Sequence, residues 1–203
     1  MIQITNECNM ALMARYPDKH FDLAIVDPEY GIGVNMNMGK RKGEKKKHIQ
    51  KDWDKFAPSP DFFKELFRVS KNQIIWGGNC FELPISYGWI VWDKKISGKV
   101  DFSECELAWT SFNKSVKKFT YRIQDTTEAR IHPTQKCIPL YKFCLDKYAI
   151  AGDKILDTNL GGGSIAIACH DYGFDLTACE LDKDYFDAAM KRLQQHQSQI
   201  KLF

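Results

Sequence analysis

The sequence predicts an α/β domain built on a mostly parallel, doubly wound sheet, and three observations predict it. Near the start, the alternating Ile2 to Asn6, the short helical stretch Met10 to Tyr16 closed by Pro17-Asp18, and the apolar run Phe21 to Val26 read as strand, helix and strand, a unit that implies parallel pairing. Near the end, Lys154 to Leu156, Asp157, the turn Gly161-Gly162-Gly163-Ser164, the apolar Ile165 to His170, and Leu176 to Cys179 followed by Glu180 read as strand, acid, glycine turn, helix, strand and acid. That is the layout of a nucleoside-binding half of such a sheet. Finally, the chain opens on a strand that lacks a crossover helix before it and closes on a helix that follows a strand. Joining end to beginning restores an uninterrupted order, so the fold is expected to be circularly permuted with its termini close together.

The remaining elements follow in order. Ala24-Ile25-Val26 is apolar without alternation, as expected of a strand buried on both faces. From Val34 to Ala57 there is no apolar period, and a loop of this length inside a domain is usually functional or disordered. Pro60 to Ser70 reads as a helix, with Asp61 in its first turn and Phe62, Phe63, Leu66 and Phe67 on one face. Strands are expected at Gln73 to Trp76, Gly88 to Trp92 and Glu106 to Phe112, separated by Gly77-Gly78-Asn79 and the charged turn Asp93-Lys94-Lys95. Asn113 to Arg130 carries no period from which an element can be assigned. Leu140 to Ile150 is an amphipathic helix entered through Pro133-Thr134, Gly152-Asp153 turns the chain into the next strand, and Gly173 stops the helix that follows the glycine turn. Asp182 is placed to cap the last helix, Lys183 to about Gln197. Neither a repeat nor a linker divides the chain, so residues 1–203 are expected to form one domain.

Composition narrows the class. At 203 residues the chain can bury a substantial core, and an apolar content of 44% excludes disordered and fibrous classes. No apolar run is long enough to span a bilayer and the start has no signal-peptide pattern, so a cytoplasmic protein with no membrane association is expected. The seven cysteines include no Cys-x-x-Cys pair, which argues against a disulfide framework and against a zinc site; they read as small apolar residues in a reducing compartment. The net charge of +3 is uninformative, but its distribution is not. Lys40, Arg41, Lys42, Lys45, Lys46, Lys47, Lys51 and Lys55 face only Glu44, Asp52 and Asp54 in one stretch, and Lys114, Lys117, Lys118 and Arg122 surround Phe119 and Tyr121 in another. Each is either a solvated loop or a phosphate-binding footprint.

Chemistry is concentrated where two strands end. After Val26 come Asp27-Pro28-Glu29-Tyr30, and the carboxyl end of a strand in an open α/β sheet faces the ligand crevice. Proline fixes its own φ and lacks an N–H, so the Pro28 carbonyl is held in one direction beside the Asp27 carboxylate. Two acceptors aimed at one place suit an amino group with two hydrogens to donate, and Tyr30 adds a flat face for a ring. At the second strand end, the glycines allow close backbone approach and Glu180 follows Asp157 at about the interval used to hold ribose hydroxyls. The glycine spacing does not fit a dinucleotide fingerprint, which places an NAD-dependent oxidoreductase last among the alternatives.

Taken together these residues resemble an amino-group DNA methyltransferase dependent on S-adenosyl-L-methionine, of the subclass whose catalytic motif precedes its cofactor motif. Asp27 to Tyr30 resembles the family's Asp-Pro-Pro-Tyr, His132-Pro133-Thr134-Gln135-Lys136 its His-Pro-Thr-Gln-Lys, and Asp157 to Ser164 its Asp-Pro-Phe-x-Gly-Ser-Gly-Thr. Trp76 to Asn79 and Glu106 to Trp109 are also similar to family segments. Glu29 stands where the motif has its second proline, and Thr158 and Asn159 stand where it has Pro and Phe.

The resemblance implies a permuted Rossmann-like methyltransferase fold. It implies Asp27, Pro28 and Tyr30 as catalytic residues, and Cys8, Asp27, Thr134, Gln135, Lys136, Asp157, Asn159, Gly161, Gly163, Ser164 and Glu180 as cofactor-binding residues. It further implies double-stranded DNA as partner, with the target base flipped out and adenine N6 favoured over cytosine N4, the basic regions 34–57 and 113–131 touching DNA, and a homodimer among the allowed assemblies. An RNA or protein-amide methyltransferase, or a nucleic-acid-binding relative without catalysis, would share most of these features.

Overall fold

A computed structural model describes residues 1–33, 56–96, 103–122 and 130–199. The lysine-rich stretch from Lys40 to Lys55 lies outside the described residues. The elements are β1 (Ile2–Asn6), α1 (Asn9–Ala14), β2 (Phe21–Val26), α2 (Pro60–Val69), β3 (Ser70–Trp76), β4 (Trp89–Asp93), β5 (Cys105–Thr110), β6 (Lys117–Thr120), α3 (Ile138–Tyr148), β7 (Lys154–Asp157), α4 (Ser164–Tyr172), β8 (Asp175–Glu180) and α5 (Lys183–Ser198).

The described strands form one sheet in the order β1-β8-β7-β2-β3-β5-β4-β6. Pairing is parallel from β1 to β3, antiparallel for β3 with β5 and β5 with β4, and parallel again for β4 with β6. The α/β class is therefore as the sequence predicts.

The pairing implied for the first two strands is not. β1 pairs with β8 (Ile2↔Leu176) and β2 with β7 (Leu23↔Ile155), so the last two strands of the chain lie between the first two. The permutation explains this: β1 takes the place in space that follows β8, and its crossover to β2 passes over two strands. The Met1 ammonium accordingly pairs with Asp175 at the start of β8. From the opposite end of β8, α5 runs back over β8 and β1, and its His196 meets Asp171, just ahead of β8, at 2.6 Å.

Each face of the sheet has its own core, and β2 divides its side chains between them. Leu23 and Ile25 pack with Leu140, Cys144 and Leu145 of α3, Ile165 and Ile167 of α4, and Ala189 and Leu193 of α5. Phe21, Ala24 and Val26 pack with Leu12 and Met13 of α1 and Phe62, Phe63 and Leu66 of α2. An unbroken apolar run is what such two-sided burial requires.

The helix ends are local chemistry. Asp182 accepts hydrogen bonds from the N–H groups of Asp184 and Tyr185 at 3.0 and 3.2 Å, the capping its position predicts, and Gly173 ends α4 in the left-handed conformation at φ 74°. Ser70 begins β3 instead of ending α2, and Val69, not Phe67, completes the fully buried face of that helix.

β6 lies in the stretch from which no element could be assigned. It is an edge strand in which the exposed Lys118 pairs with Asp93 at 2.9 Å, while Phe119, on the half-buried face with Lys117, packs on Phe143.

Candidate active site

β2 and β7 are neighbours in the sheet (Ala24↔Leu156), and it is between them that the order of strands reverses. A crevice opens at the carboxyl ends of such a pair. Here it is a cavity of about 950 Å³, near the upper end of the size range of small-molecule sites. Asp27, Pro28 and Tyr30 line one side, Cys8, Asn159, Gly161, Ser164 and Glu180 the other, with Thr134, Gln135 and Lys136 along the wall as well. Asp157 and Gly163 are buried and do not line the cavity.

The nucleoside-type half is held by backbone donors. Gly161 N–H donates to Glu180 Oε2 at 2.8 Å and Asp182 N–H to Glu180 Oε1 at 2.9 Å, which fixes that carboxylate at the cavity edge. Burial raises the Glu180 pKa against these two bonds. Asp157 Oδ1 accepts from Asn159 N–H at 2.9 Å; burial pushes its carboxyl up to about 8, with the charges of Asp27 and Glu180 adding to the effect. Gly161 and Gly163 adopt φ of 52° and 72°, where a side chain is strained.

The segment 130–136 closes over this turn. A Cβ on Gly162 would come within 2.5 Å of Gln135 Oε1, Ser164 Oγ donates to the Lys136 carbonyl at 2.7 Å, and Arg192 donates to the Gly162 carbonyl and to Ser164 Oγ at 2.5 and 3.0 Å. The result is a backbone cradle with acidic Glu180 at its rim, a donor set that fits a nucleoside with ribose hydroxyls. At the end of β1, Glu7 is bound by both Nη atoms of Arg15, which with Thr5 hold its carboxyl at about 2. The adjacent Cys8 lines the cavity.

On the other side both Asp27 oxygens have partners. Tyr30 OH donates to Oδ1 at 2.9 Å, and Lys136 Nζ lies 2.5 Å from Oδ2. Lys136 Nζ is also 3.1 Å from Glu106 Oε2, whose other oxygen is 2.6 Å from Lys94 Nζ. Lys94, Glu106, Lys136 and Asp27 thus form an alternating chain of charges running in from β4 and β5. Burial disfavours the Lys136 ammonium, but Asp27 and Glu106 outweigh it and raise its pKa. Burial likewise works against the Glu106 carboxylate, which Lys136 and Lys94 nevertheless hold at about 2. Asp27, with burial foremost and Glu106 nearby, is raised from its ordinary value despite Lys136. Tyr30 is pushed well above the phenol range by burial and by Asp27, so its hydroxyl remains a donor. A carboxylate has roughly four lone-pair sites, so Asp27 keeps acceptor capacity toward the cavity.

The Lys136 side chain therefore reaches the Asp27 side, while its backbone belongs to the glycine turn. Lys94 and Glu106 were absent from the sequence-derived site. The available signal was the charge of Glu106 ahead of Leu107-Ala108-Trp109, since a carboxylate entering a buried strand needs a cation.

Tyr30 is seated on backbone. A Cβ on Gly77 would lie 2.2 Å from Tyr30 Cε1, and Gly77 has a φ of 67°. Gly77→Ala combines left-handed strain with overpacking and is expected to cost about 2–4 kcal/mol of stability. Denaturant unfolding checks this, and a loss under about 0.5 kcal/mol, the size of an ordinary surface substitution, would mean that Tyr30 moves aside freely.

A model of the family described as DNA methylase matches residues 44–191, well over half of the chain. The chain belongs to the DNA methylase family. The matched residues include the segment 130–136 and the glycine turn and begin after Tyr30, so the assignment of Asp27 to Tyr30 rests on their place in the cavity. Solved structures share the fold of this family member. M1.HpyAVI in complex with SAM aligns with a TM-score of 0.61 at 18% identity, covering 95% of this chain and 99% of that one. TTHA0409 from Thermus thermophilus, complexed with S-adenosyl-L-methionine, aligns with 0.59 at 17% identity over 98% and 96%. The PvuII DNA methyltransferase, cytosine-N4-specific, aligns with 0.64 at 9% identity over 97% and 90%. Among the described residues no helix is long and apolar enough to cross a membrane.

Proposed function

We propose that this DNA methylase family member transfers a methyl group from S-adenosyl-L-methionine to the exocyclic amine of a base flipped out of double-stranded DNA, with adenine N6 as the preferred target. The observation that carries the reading is that one cavity holds both the acceptor pair after β2 and the glycine cradle after β7. Gly161, Ser164, Glu180 and Asn159, with Thr134 and Gln135 alongside, would hold the cofactor, and Asp157 and Gly163 would shape its turn. When bound, S-adenosyl-L-methionine supplies an electrophilic methyl carbon.

The residues of the chain do the rest. An exocyclic amine is a poor nucleophile because its lone pair is delocalised into the ring. The Asp27 carboxylate and the Pro28 carbonyl would take its two hydrogens and favour the pyramidal form, a positioned electrostatic effect of several kcal/mol. Lys136 and Tyr30 orient the carboxylate, and its raised pKa makes Asp27 a competent acceptor for the departing proton. Tyr30 offers its ring to the flipped base. The basic regions 34–57 and 113–131 would hold phosphates without reading sequence. In the second of these, Lys114 donates to the Lys147 carbonyl and Lys118 pairs with Asp93, so part of its charge already serves the fold.

The subclass order, with the catalytic motif ahead of the cofactor motif, follows from the same assignment. Adenine is favoured because the motif opens with Asp27; the structural likeness to a cytosine-N4-specific enzyme makes N4-cytosine the second reading. Incubating the protein with labelled S-adenosyl-L-methionine and, in separate reactions, duplex DNA, RNA or protein substrate, then identifying the modified nucleoside or residue by mass spectrometry, separates them. N6-methyladenine is expected, N4-methylcytosine alone would move the assignment to the second reading, and label only in RNA or protein would overturn both.

A further inference from the structure

Glu29 and Asn159 lie just past the ends of β2 and β7, the two strands that meet at the middle of the cavity, and both line it. They also touch: Asn159 Nδ2 donates to Glu29 Oε2 at 3.4 Å. Asn159 is itself anchored, its N–H donating to Asp157 Oδ1 at 2.9 Å and its Oδ1 accepting from Thr158 Oγ1 at 2.7 Å, so its remaining amide group is left to face Glu29. These are two of the positions at which the chain departs from the motifs it resembles, and the contact between them is polar where a proline and a phenylalanine would have made it apolar. A carboxylate consequently sits at the seam between the amine-accepting side of the cavity and the glycine cradle.

We infer that Glu29, positioned by Asn159, is a ligand-discriminating residue that favours the cationic methyl donor over its neutral demethylated product. The inference rests on the proposed use of S-adenosyl-L-methionine. A donor held in the cradle with its methyl group directed toward Asp27 would carry its positively charged sulfur past this seam, under the influence of the Glu29 carboxylate. Once the methyl group has left, that sulfur is an uncharged thioether and the attraction is lost. The rest of the molecule, including its amino and carboxyl groups, is the same before and after transfer. The ratio of the two affinities therefore isolates the effect of the sulfonium charge. In a partly enclosed site such an attraction is screened less than in water. Its consequence is weaker retention of product and readier exchange for fresh donor.

The test is calorimetric titration of the full chain with S-adenosyl-L-methionine and, separately, with S-adenosylhomocysteine. Glu29→Gln, which keeps an acceptor for Asn159 and removes the charge, should weaken donor binding by about tenfold while product affinity stays within about twofold. Asn159→Ala, which leaves the charge but removes its anchor, should reduce the donor-to-product ratio by a smaller factor. Equal losses for both ligands, or an unchanged ratio in both variants, would overturn the inference while leaving the cofactor assignment intact. Failure of the unaltered protein to bind either ligand would instead remove the cofactor assignment, and this inference with it.

Discussion

Asp27→Asn is expected to reduce single-turnover methyl transfer by about 10³-fold or more while leaving cofactor affinity within about threefold of the unaltered protein. The side chain keeps its shape and one acceptor oxygen for Tyr30, so the loss reports the charge and the second acceptor, not a collapsed loop. Where Oδ2 now lies 2.5 Å from the Lys136 ammonium, an amide NH₂ would present its positive end; Lys136 still has Glu106 at 3.1 Å and remains paired. The glycine cradle is untouched because its bonds run through Asp157, Glu180, Gln135 and Arg192. Rapid-quench transfer assays and calorimetry make the measurement. Transfer within about threefold of the unaltered protein would remove Asp27 from the reaction, and a parallel loss of cofactor binding would reassign it to the cradle.

What could be read from the sequence and what could not differ by physical cause. The ends of β2 and β7 were legible because a two-sided buried strand must stop where acid, proline or glycine arrives, and Asp182 and Gly173 were legible because capping is decided by neighbouring residues. Strand order is decided by distant ones, and it failed there: nothing within residues 2 to 26 says that β8 and β7 will insert between β1 and β2. β6 escaped because an edge strand carries lysines where a central strand would carry valines, which erases its period. The charge chain from Lys94 through Glu106 and Lys136 to Asp27 joins four elements or loops that no local pattern relates. The resemblance places Lys136 with the cofactor turn, and its backbone carbonyl does accept from Ser164 beside that turn. Only packing reveals that its ammonium passes to the other half of the cavity.

Lys136→Met is the second large effect, and its signature is a coupled change in stability and pH dependence. Methionine fills the volume of the lysine stem, so the substitution removes a buried cation from between two carboxylates without leaving a cavity. Glu106 retains Lys94, but Asp27 loses its counter-charge and still faces Glu106. Its pKa, already raised mainly by burial, must rise further. A carboxyl whose folded pKa exceeds its unfolded value destabilises the fold above the unfolded pKa, and the cost grows until pH reaches the folded pKa. The variant should therefore be less stable by about 3–5 kcal/mol at neutral pH, the usual result of orphaning one member of a buried pair, with the deficit shrinking on acidification. In the same variant the acid limb of kcat/KM should move to higher pH, because Asp27 must be ionised to accept the amine hydrogens. Glu106→Gln supplies the opposite case. Removing the second carboxylate takes away a charge that raises Asp27 and leaves Lys136 to Asp27 alone, so the acid limb should move to lower pH. Urea unfolding across pH and pH–rate profiles of the two variants decide the matter. Shifts of the same sign in both would mean that Lys136 and Glu106 support the fold without setting the charge of Asp27.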